Sequence, residues 1–255
     1  MTTSTVQAPP PAAVPSTARR SGPPEGPRSR RWLVGFWAVV FVLLLVVHPG
    51  RQTFDTKLGV TVDPGRFFSD LGQLWQDQGS FGGISDQYAG YLWPMLPFYW
   101  LADAVRLPVW LAERLWLSLI VSVAFWGALR LAERLRIGSG ASRLLAALAY
   151  ALWPVFTIVI GSTSAAALPG AVLPWVLLPL IDERYSARVA AVRSALVIPF
   201  MGGVNAAATL ASLLPVGLYL LTRPSGPRQR KLLAWWVPGV ILATAWWWIP
   251  LLLLG

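Results

Sequence analysis

The chain has 255 residues, 55% of them apolar, and its mean hydropathy of +0.56 is too high for an ordinary soluble domain. Its formal charge of +10 comes from short basic clusters between apolar runs, which points to membrane-protein loops and not to nucleic acid. With no cysteine there is neither a disulfide framework nor a thiolate metal site, and the one histidine, His48, makes no histidine metal site alone.

Residues 1–31, rich in Pro, Ser, Thr and Arg, predict a disordered tail that Arg19, Arg20, Arg28, Arg30 and Arg31 hold in the cytoplasm. The apolar run from Trp32 to Val47 has a long tail before it and no small-x-small cleavage site after it, so it reads as an uncleaved signal anchor. The loop that follows is then outside and runs to about Ala89. Within it, FFSDLGQLWQ sets Phe67, Phe68, Leu71, Leu74 and Trp75 on one face of an expected interfacial helix over 67–76. From Tyr91 to Val105 the pattern is interrupted by Pro94 and Pro97 and contains Asp103, which predicts a broken helix that does not fully cross.

Val109 to Leu131 is long enough to cross at about 1.5 Å per residue. Arg130, Arg134, Arg136 and Arg143 mark its inner end. Leu144 to Ile160 returns outward, GSTSAAALPG reads as a small-residue turn, and Ala171 to Ile181 goes back in, with Asp182, Glu183, Arg184, Arg188 and Arg193 behind it. Ala187 to Leu221 has room for two crossings with a turn at GGVNA. The loop holding Arg223, Arg228, Arg230 and Lys231 reads cytoplasmic, and Ala234 to Leu254 starts outward again. The expected architecture is an all-α, polytopic membrane bundle with about seven crossings, residues 32–255 forming one transmembrane domain. No internal repeat exists beyond two LAER tetrapeptides, at Leu111 and Leu131. The chain ends inside an apolar run, LLLLG, which suggests the amino-terminal part of something longer.

Asp55 is the leading catalytic candidate, since an acid beside the membrane surface, near Lys57, suits proton transfer from a sugar hydroxyl; the bland reading is a solvated loop carboxylate. Asp63, before Pro64, and Asp86, after Ser85, read as turn or cap residues. Glu113 and Arg114 fall in the first turns of a crossing helix, where charge is costly unless paired or facing a polar cavity. Arg114, with Lys57, would clamp a phosphate by its forked geometry; equally, Glu113 would simply pair with a neighbouring cation. Tyr88, Tyr91, Trp93, Tyr99 and Trp100 would stack on a sugar or prenyl chain, though an aromatic belt is the commoner cause of such a cluster. Ser162, Thr163, Ser164 and Asn205 offer sugar contacts against the alternative of plain turn chemistry. His48 reads as an interfacial residue and not a base.

The segments GRQTFDTKLGVTVDPGRFF, YAGYLWPMLPFY, AERLWLSLIVSVAFWGALRLAERLRIGS, ASRLLAALAYALWPVFTIVIGSTSAAALPGAVLPWVLLPLI and GGVNAAATLASLLP, in that order, resemble the amino-terminal membrane region of the actinobacterial alpha-(1→3)-arabinofuranosyltransferases. That resemblance implies a GT-C-type domain that uses decaprenyl-phospho-arabinofuranose as donor and a cell-wall arabinan as acceptor. It also implies a plasma-membrane enzyme with its active site outside, surrounded by membrane lipid and completed by the remainder of a larger enzyme. The family's catalytic aspartate in the first outer loop matches Asp55, implying an inverting displacement with Asp55 as base and Lys57 and Arg114 as phosphate-binding cations. Where the family pattern has an acid after the serines of the GSTSAAALPG turn, this chain has Ala166, so a second carboxylate or metal contact from that turn is in doubt. No cofactor is certain; a divalent cation stays open. The rival classes are a flippase for a lipid-linked sugar, expected to carry mid-membrane charges and repeated broken helices, and a non-catalytic membrane subunit.

Overall fold

The computed structural model describes residues 28–53, 55, 58–71, 75–76, 83–84 and 88–254, so the expected tail lies outside the described residues up to residue 27. Helix α1, Arg28–Val46, covers the expected signal anchor. In the loop after it stand two short helices, α2 (Leu58–Val62) and α3 (Pro64–Asp70), and an antiparallel pair, β1 (Trp75–Gln76) with β2 (Gly83–Ile84). The expected interfacial helix over 67–76 is therefore corrected. Asp63 caps α3 by accepting from Arg66 N–H at 2.9 Å, the helix stops at Asp70, and residues 75 and 76 are extended. Phe67 is buried whereas its neighbour Phe68 is exposed, as alternate faces of a short packed helix require.

A 3-10 turn over Tyr88–Tyr91 leads to α4, Met95–Ala104, whose 10 residues rise only about 15 Å and so do not span a hydrocarbon core of about 30 Å. This agrees with the expected broken segment. Tyr91 and Tyr99, however, are buried core residues and not part of an interfacial belt, while Trp93 and Trp100 are exposed. Pro108 precedes α5, Val109–Leu135.

The expected straight return over 144–160 is bent. Helix α6 (Gly140–Ala151) and the segment Pro154–Gly161, made of α7 (Pro154–Thr157) and a 3-10 turn (Val159–Gly161), meet at 61°, because Pro154 cannot continue the helix ladder. The expected small-residue turn is also corrected: α8 runs over Ser164–Ile181, so most of that segment forms its opening turns. Then come α9 (Ala187–Val197), a 3-10 turn (Ile198–Met201), α10 (Ala206–Thr222) and α11 (Pro227–Leu254). Among the described residues three helices, α5, α8 and α11, are long and apolar enough to cross a membrane, and the bent pair makes four if it counts as one span. Helix α9, at 11 residues, is too short to cross by itself.

Helices α5 and α8 form the most extensive pair, and α8 joins two apolar cores. Its first half packs with α4, α5 and α6; its second half packs with α9, α10 and α11. Polar groups inside an apolar bundle need internal partners, and here indoles and hydroxyls supply them across helix pairs. Trp37 Nε1 donates to Ser118 Oγ at 3.1 Å, Trp175 Nε1 to the Val123 carbonyl at 3.1 Å, and Tyr150 to the Gly170 carbonyl at 2.6 Å. Ser194 Oγ donates to the Val176 carbonyl at 2.8 Å and accepts from Trp236 Nε1 at 3.0 Å. At the carboxyl ends of α5 and α8, Asp182 accepts from Arg184 at 2.9 Å and pairs with Arg134 at 3.4 Å. Arg228 donates to the carbonyls of Tyr185 and Asp182 at 2.8 and 3.3 Å. Asp182 thus ties α5 to α8 through its carboxylate and α11 to both through its backbone carbonyl.

Candidate functional site

At the opposite end of α5 the chain leaves α1 through a sharp turn in which His48 and Gly50 adopt left-handed backbone, with φ of 49° and 74°. The turn is fastened to α5 by the buried Glu113–Arg114 pair. Arg114 donates to Glu113 at 3.1 Å, to the Val47 carbonyl at 3.3 Å and to the Arg51 carbonyl at 3.1 Å. Glu113 accepts from Thr53 N–H at 3.1 and 3.2 Å and also from the Thr53 hydroxyl. Of the two readings of Glu113 and Arg114, the structure shows the pairing, and in pairing they hold the segment that carries Asp55.

Asp55 is half-buried and its Oδ2 receives two donors from Ser164, the backbone N–H at 3.3 Å and the hydroxyl. Ser164 is the first residue of α8, where backbone N–H groups have no partner inside the helix and the dipole favours negative charge. Trp116 Nε1 donates to Ser164 Oγ at 3.0 Å, so an indole from α5 fixes the hydroxyl that holds the carboxylate. Trp116 packs against Phe98 and Tyr99 of α4, with ring centroids 5.0 and 6.1 Å away. The Tyr99 hydroxyl is buried and has no hydrogen-bond partner among the described residues. Burial first, then the negative charges of Glu113 and Asp55, push its phenol far above the usual tyrosine range, so it stays protonated.

Beside this cluster lies a cavity of about 330 Å³ whose lining includes His48, Arg51, Thr53 and Arg114 together with Val47 and Ile158. Arg114 Nε is buried without a hydrogen-bond partner among the described residues. A lining that combines arginines with aliphatic side chains suits a molecule with an anionic head and a greasy tail.

The other expected contacts fall elsewhere. Ser162 is exposed and donates to the Val159 carbonyl at 3.3 Å, which is turn chemistry. Asn205 caps α10, accepting from Ala208 N–H at 2.9 Å. Tyr91 is fully buried, edge-on to Phe67. Lys57, Asp77, Asp86 and the Tyr88 side chain lie outside the described residues. Among the described residues no three His, Asp or Glu side chains come together to hold a metal ion. Sequence reading missed Thr53 and Trp116, and it named Tyr99 only as a stacking or belt aromatic; Trp116 was within reach, because it stands three residues after Glu113 on one helix and i, i+3 positions share a face.

The model of the family described as alpha-(1->3)-arabinofuranosyltransferase, N-terminal GT-C domain, matches residues 39–255. The alpha-(1->3)-arabinofuranosyltransferase of Mycobacterium tuberculosis is 38% identical over 226 residues, covering 87% of this chain and 16% of that protein. Its counterpart in Mycolicibacterium smegmatis is 40% identical over 221 residues, covering 86% of this chain and 16% of the relative. The cryo-electron-microscopy structure of arabinofuranosyltransferase AftD from mycobacteria superposes with a TM-score of 0.83 at 38% identity, over 89% of this chain and 18% of the other. The chain thus spans about a sixth of the length of the curated relatives it matches. A match over nearly the whole described bundle, at this identity and with the same fold, places the chain in the alpha-(1->3)-arabinofuranosyltransferase family, as its amino-terminal GT-C domain.

Proposed function

We propose that this chain carries the amino-terminal part of a membrane catalytic site that moves arabinofuranose from decaprenyl-phospho-arabinofuranose to a cell-wall arabinan. The observation that carries the reading is the fixing of Asp55 by Ser164 at the start of α8, next to a cavity lined by both arginines and aliphatic side chains. Asp55 acts as base: it takes the proton of an acceptor hydroxyl as that oxygen bonds to the anomeric carbon. The bond from the anomeric carbon to the phosphate oxygen breaks, and the prenyl phosphate leaves with the electron pair. The displacement inverts the anomeric centre. The departing phosphate needs positive charge more than a proton, and Arg51, Arg114 and Lys57 are the groups assigned to that role, Arg114 through its charge and its Nε, which has no partner among the described residues. The membrane topology that goes with this reading has about seven crossings in the plasma membrane, the amino terminus in the cytoplasm and Asp55 on the outer face.

The test is transfer of labelled arabinose from the prenyl-phosphate donor by the intact protein in membranes, compared with Asp55→Asn. A loss of about 10²- to 10⁴-fold is expected for removal of a general base. Transfer unchanged in the variant would sink the assignment of Asp55. Movement of donor across a sealed bilayer without transfer would replace the reading with a flippase, and neither transfer nor movement would leave a binding subunit.

A further inference from the structure

Gly161 is half-buried and lines the cavity beside the Asp55 loop, and neither of the reasons that fix glycine elsewhere in this fold applies to it. Left-handed backbone accounts for Gly50 and Gly202, with φ of 74° and 73°, whereas the φ of Gly161 is not positive. Close helix approach accounts for Gly127, whereas a Cβ built on Gly161 would meet no heavy atom of the described residues within 4 Å. Gly161 closes the 3-10 turn Val159–Gly161, which Ser162 and Thr163 tighten by donating their backbone N–H groups to the Val159 carbonyl at 3.2 and 2.9 Å. Glycine in such a turn costs more backbone entropy than alanine does. The missing side chain leaves open space at the lining of the cavity.

Two stretches of chain lead from that lining to the hydrogen bonds between Ser164 and Asp55. Thr53 stands two residues before Asp55, and Gly161 three residues before Ser164. Their Cα atoms therefore lie at most about 7 Å and about 11 Å from those of the bonded pair. Arg51 and Arg114 bring positive charge to the same lining, and Leu44, Val47 and Ile158 bring aliphatic carbon. A molecule whose phosphate joins a sugar to an isoprenoid can place its anionic centre here and its reacting carbon toward Asp55.

We propose that Gly161 is a specificity-determining residue for the prenyl-phosphate donor: having no side chain, it leaves the room in which the donor's phosphate and first isoprenyl unit sit. The proposal rests on the reading of this site as a glycosyl-transfer site.

The experiment uses the intact protein with Gly161→Ala and Gly161→Leu, in membranes for transfer and in detergent for thermal unfolding. Gly161→Ala should unfold at the same temperature as the parent or higher, because its Cβ meets nothing and its unfolded chain has less entropy to lose. Added decaprenyl phosphate should raise the unfolding temperature of the parent, as a ligand of the folded state does, less that of the alanine variant, and not at all that of the leucine variant. In the transfer assay the KM for the prenyl-phosphate donor should rise with side-chain size, by roughly 10-fold or more for leucine, while the KM for a short arabinan acceptor stays put. Donor KM and decaprenyl-phosphate protection both unchanged in Gly161→Leu would overturn the proposal. So would a parent that decaprenyl phosphate does not protect, or one that phosphatidylglycerol protects equally well, since any anionic lipid would then fill the space. A lowered unfolding temperature in Gly161→Ala also overturns it, because the fold itself would then require glycine. Failure of the glycosyl-transfer reading shows separately, as absence of transfer by the parent or as transfer surviving in Asp55→Asn, and the protection by decaprenyl phosphate then judges Gly161 by itself.

Discussion

Ser164 gives both its backbone N–H and its hydroxyl to the same oxygen of Asp55, across 109 residues of sequence. The first loop and the start of α8 therefore meet at one carboxylate, and the hydroxyl is itself fixed by Trp116 Nε1 at 3.0 Å. Ser164→Ala removes one donor to Asp55 and leaves the buried indole N–H without its acceptor. The expected result is a fall in transfer rate of roughly 10-fold and a loss of stability of about 1–3 kcal/mol, read from turnover and thermal unfolding of the purified protein. Trp116→Phe should keep most of the packing and reproduce the rate effect more weakly, since Asp55 retains both donors.

Glu113 and Arg114 make a second test. Both are buried, and removing one leaves the other as an uncompensated charge. Glu113→Gln is expected to cost about 3–5 kcal/mol. The double replacement Glu113→Gln with Arg114→Met should cost less than the sum of the single changes, because each variant alone exposes its partner. Arg114→Lys should not rescue the site: one ammonium lacks the planar fork that reaches Glu113 and two backbone carbonyls together. Unfolding temperatures in detergent decide it, with additive losses counting against the pairing.

The other end of the bundle gives a pH dependence. Hydrogen bonds from Arg184 chiefly, with the charges of Arg134 and Arg184, hold the Asp182 carboxyl below the usual aspartate range. A carboxylate stabilised in the fold contributes fully above its unfolded pKa of about 3.9, and that contribution is lost as pH falls through the lower folded value. Asp182→Asn should therefore destabilise the protein at neutral pH by about 1–3 kcal/mol and flatten its acid-side loss of stability. Parallel unfolding curves for parent and variant between about pH 6 and 3 would contradict this.

Gly127 lets α5 and α8 approach. A Cβ there would lie 2.6 Å from Trp175 Nε1 and 3.1 Å from Pro174 Cβ, and Trp175 is tied to the Val123 carbonyl and cannot simply swing away. Gly127→Ala is expected to cost about 1–3 kcal/mol by overpacking, despite the better helix propensity of alanine. A variant as stable as the parent would show that the α5–α8 contact has slack.

Apolar runs and flanking arginines marked α1, α5 and α11 well in the sequence, because lipid exposure demands long uninterrupted helices and leaves little for tertiary contacts to alter. Asp55, Glu113, Arg114 and Ser164 were also legible as candidate residues. Their mutual arrangement was not. Ser164 read as a turn residue because small residues signal turns, whereas in the fold they open α8 and let it approach α5. Tyr99 and Tyr91 read as belt aromatics because composition cannot distinguish a lipid interface from an interior next to it. Pro154 was visible, but the 61° bend it accompanies depends on how α6 and the following turn pack on α8.

The two LAER tetrapeptides, easily dismissed as chance, lie on the same helix, α5. Arg114 in the first anchors the loop of the catalytic candidate, and Arg134 in the second reaches Asp182. Twenty residues of helix separate these arginines, a rise of about 30 Å that matches the oily thickness of a bilayer. Helix α5 is in effect a gauge rod pinned at both tips. Adding a single alanine at its midpoint would turn one tip by about 100° against the other, so only one of the two pins could stay engaged.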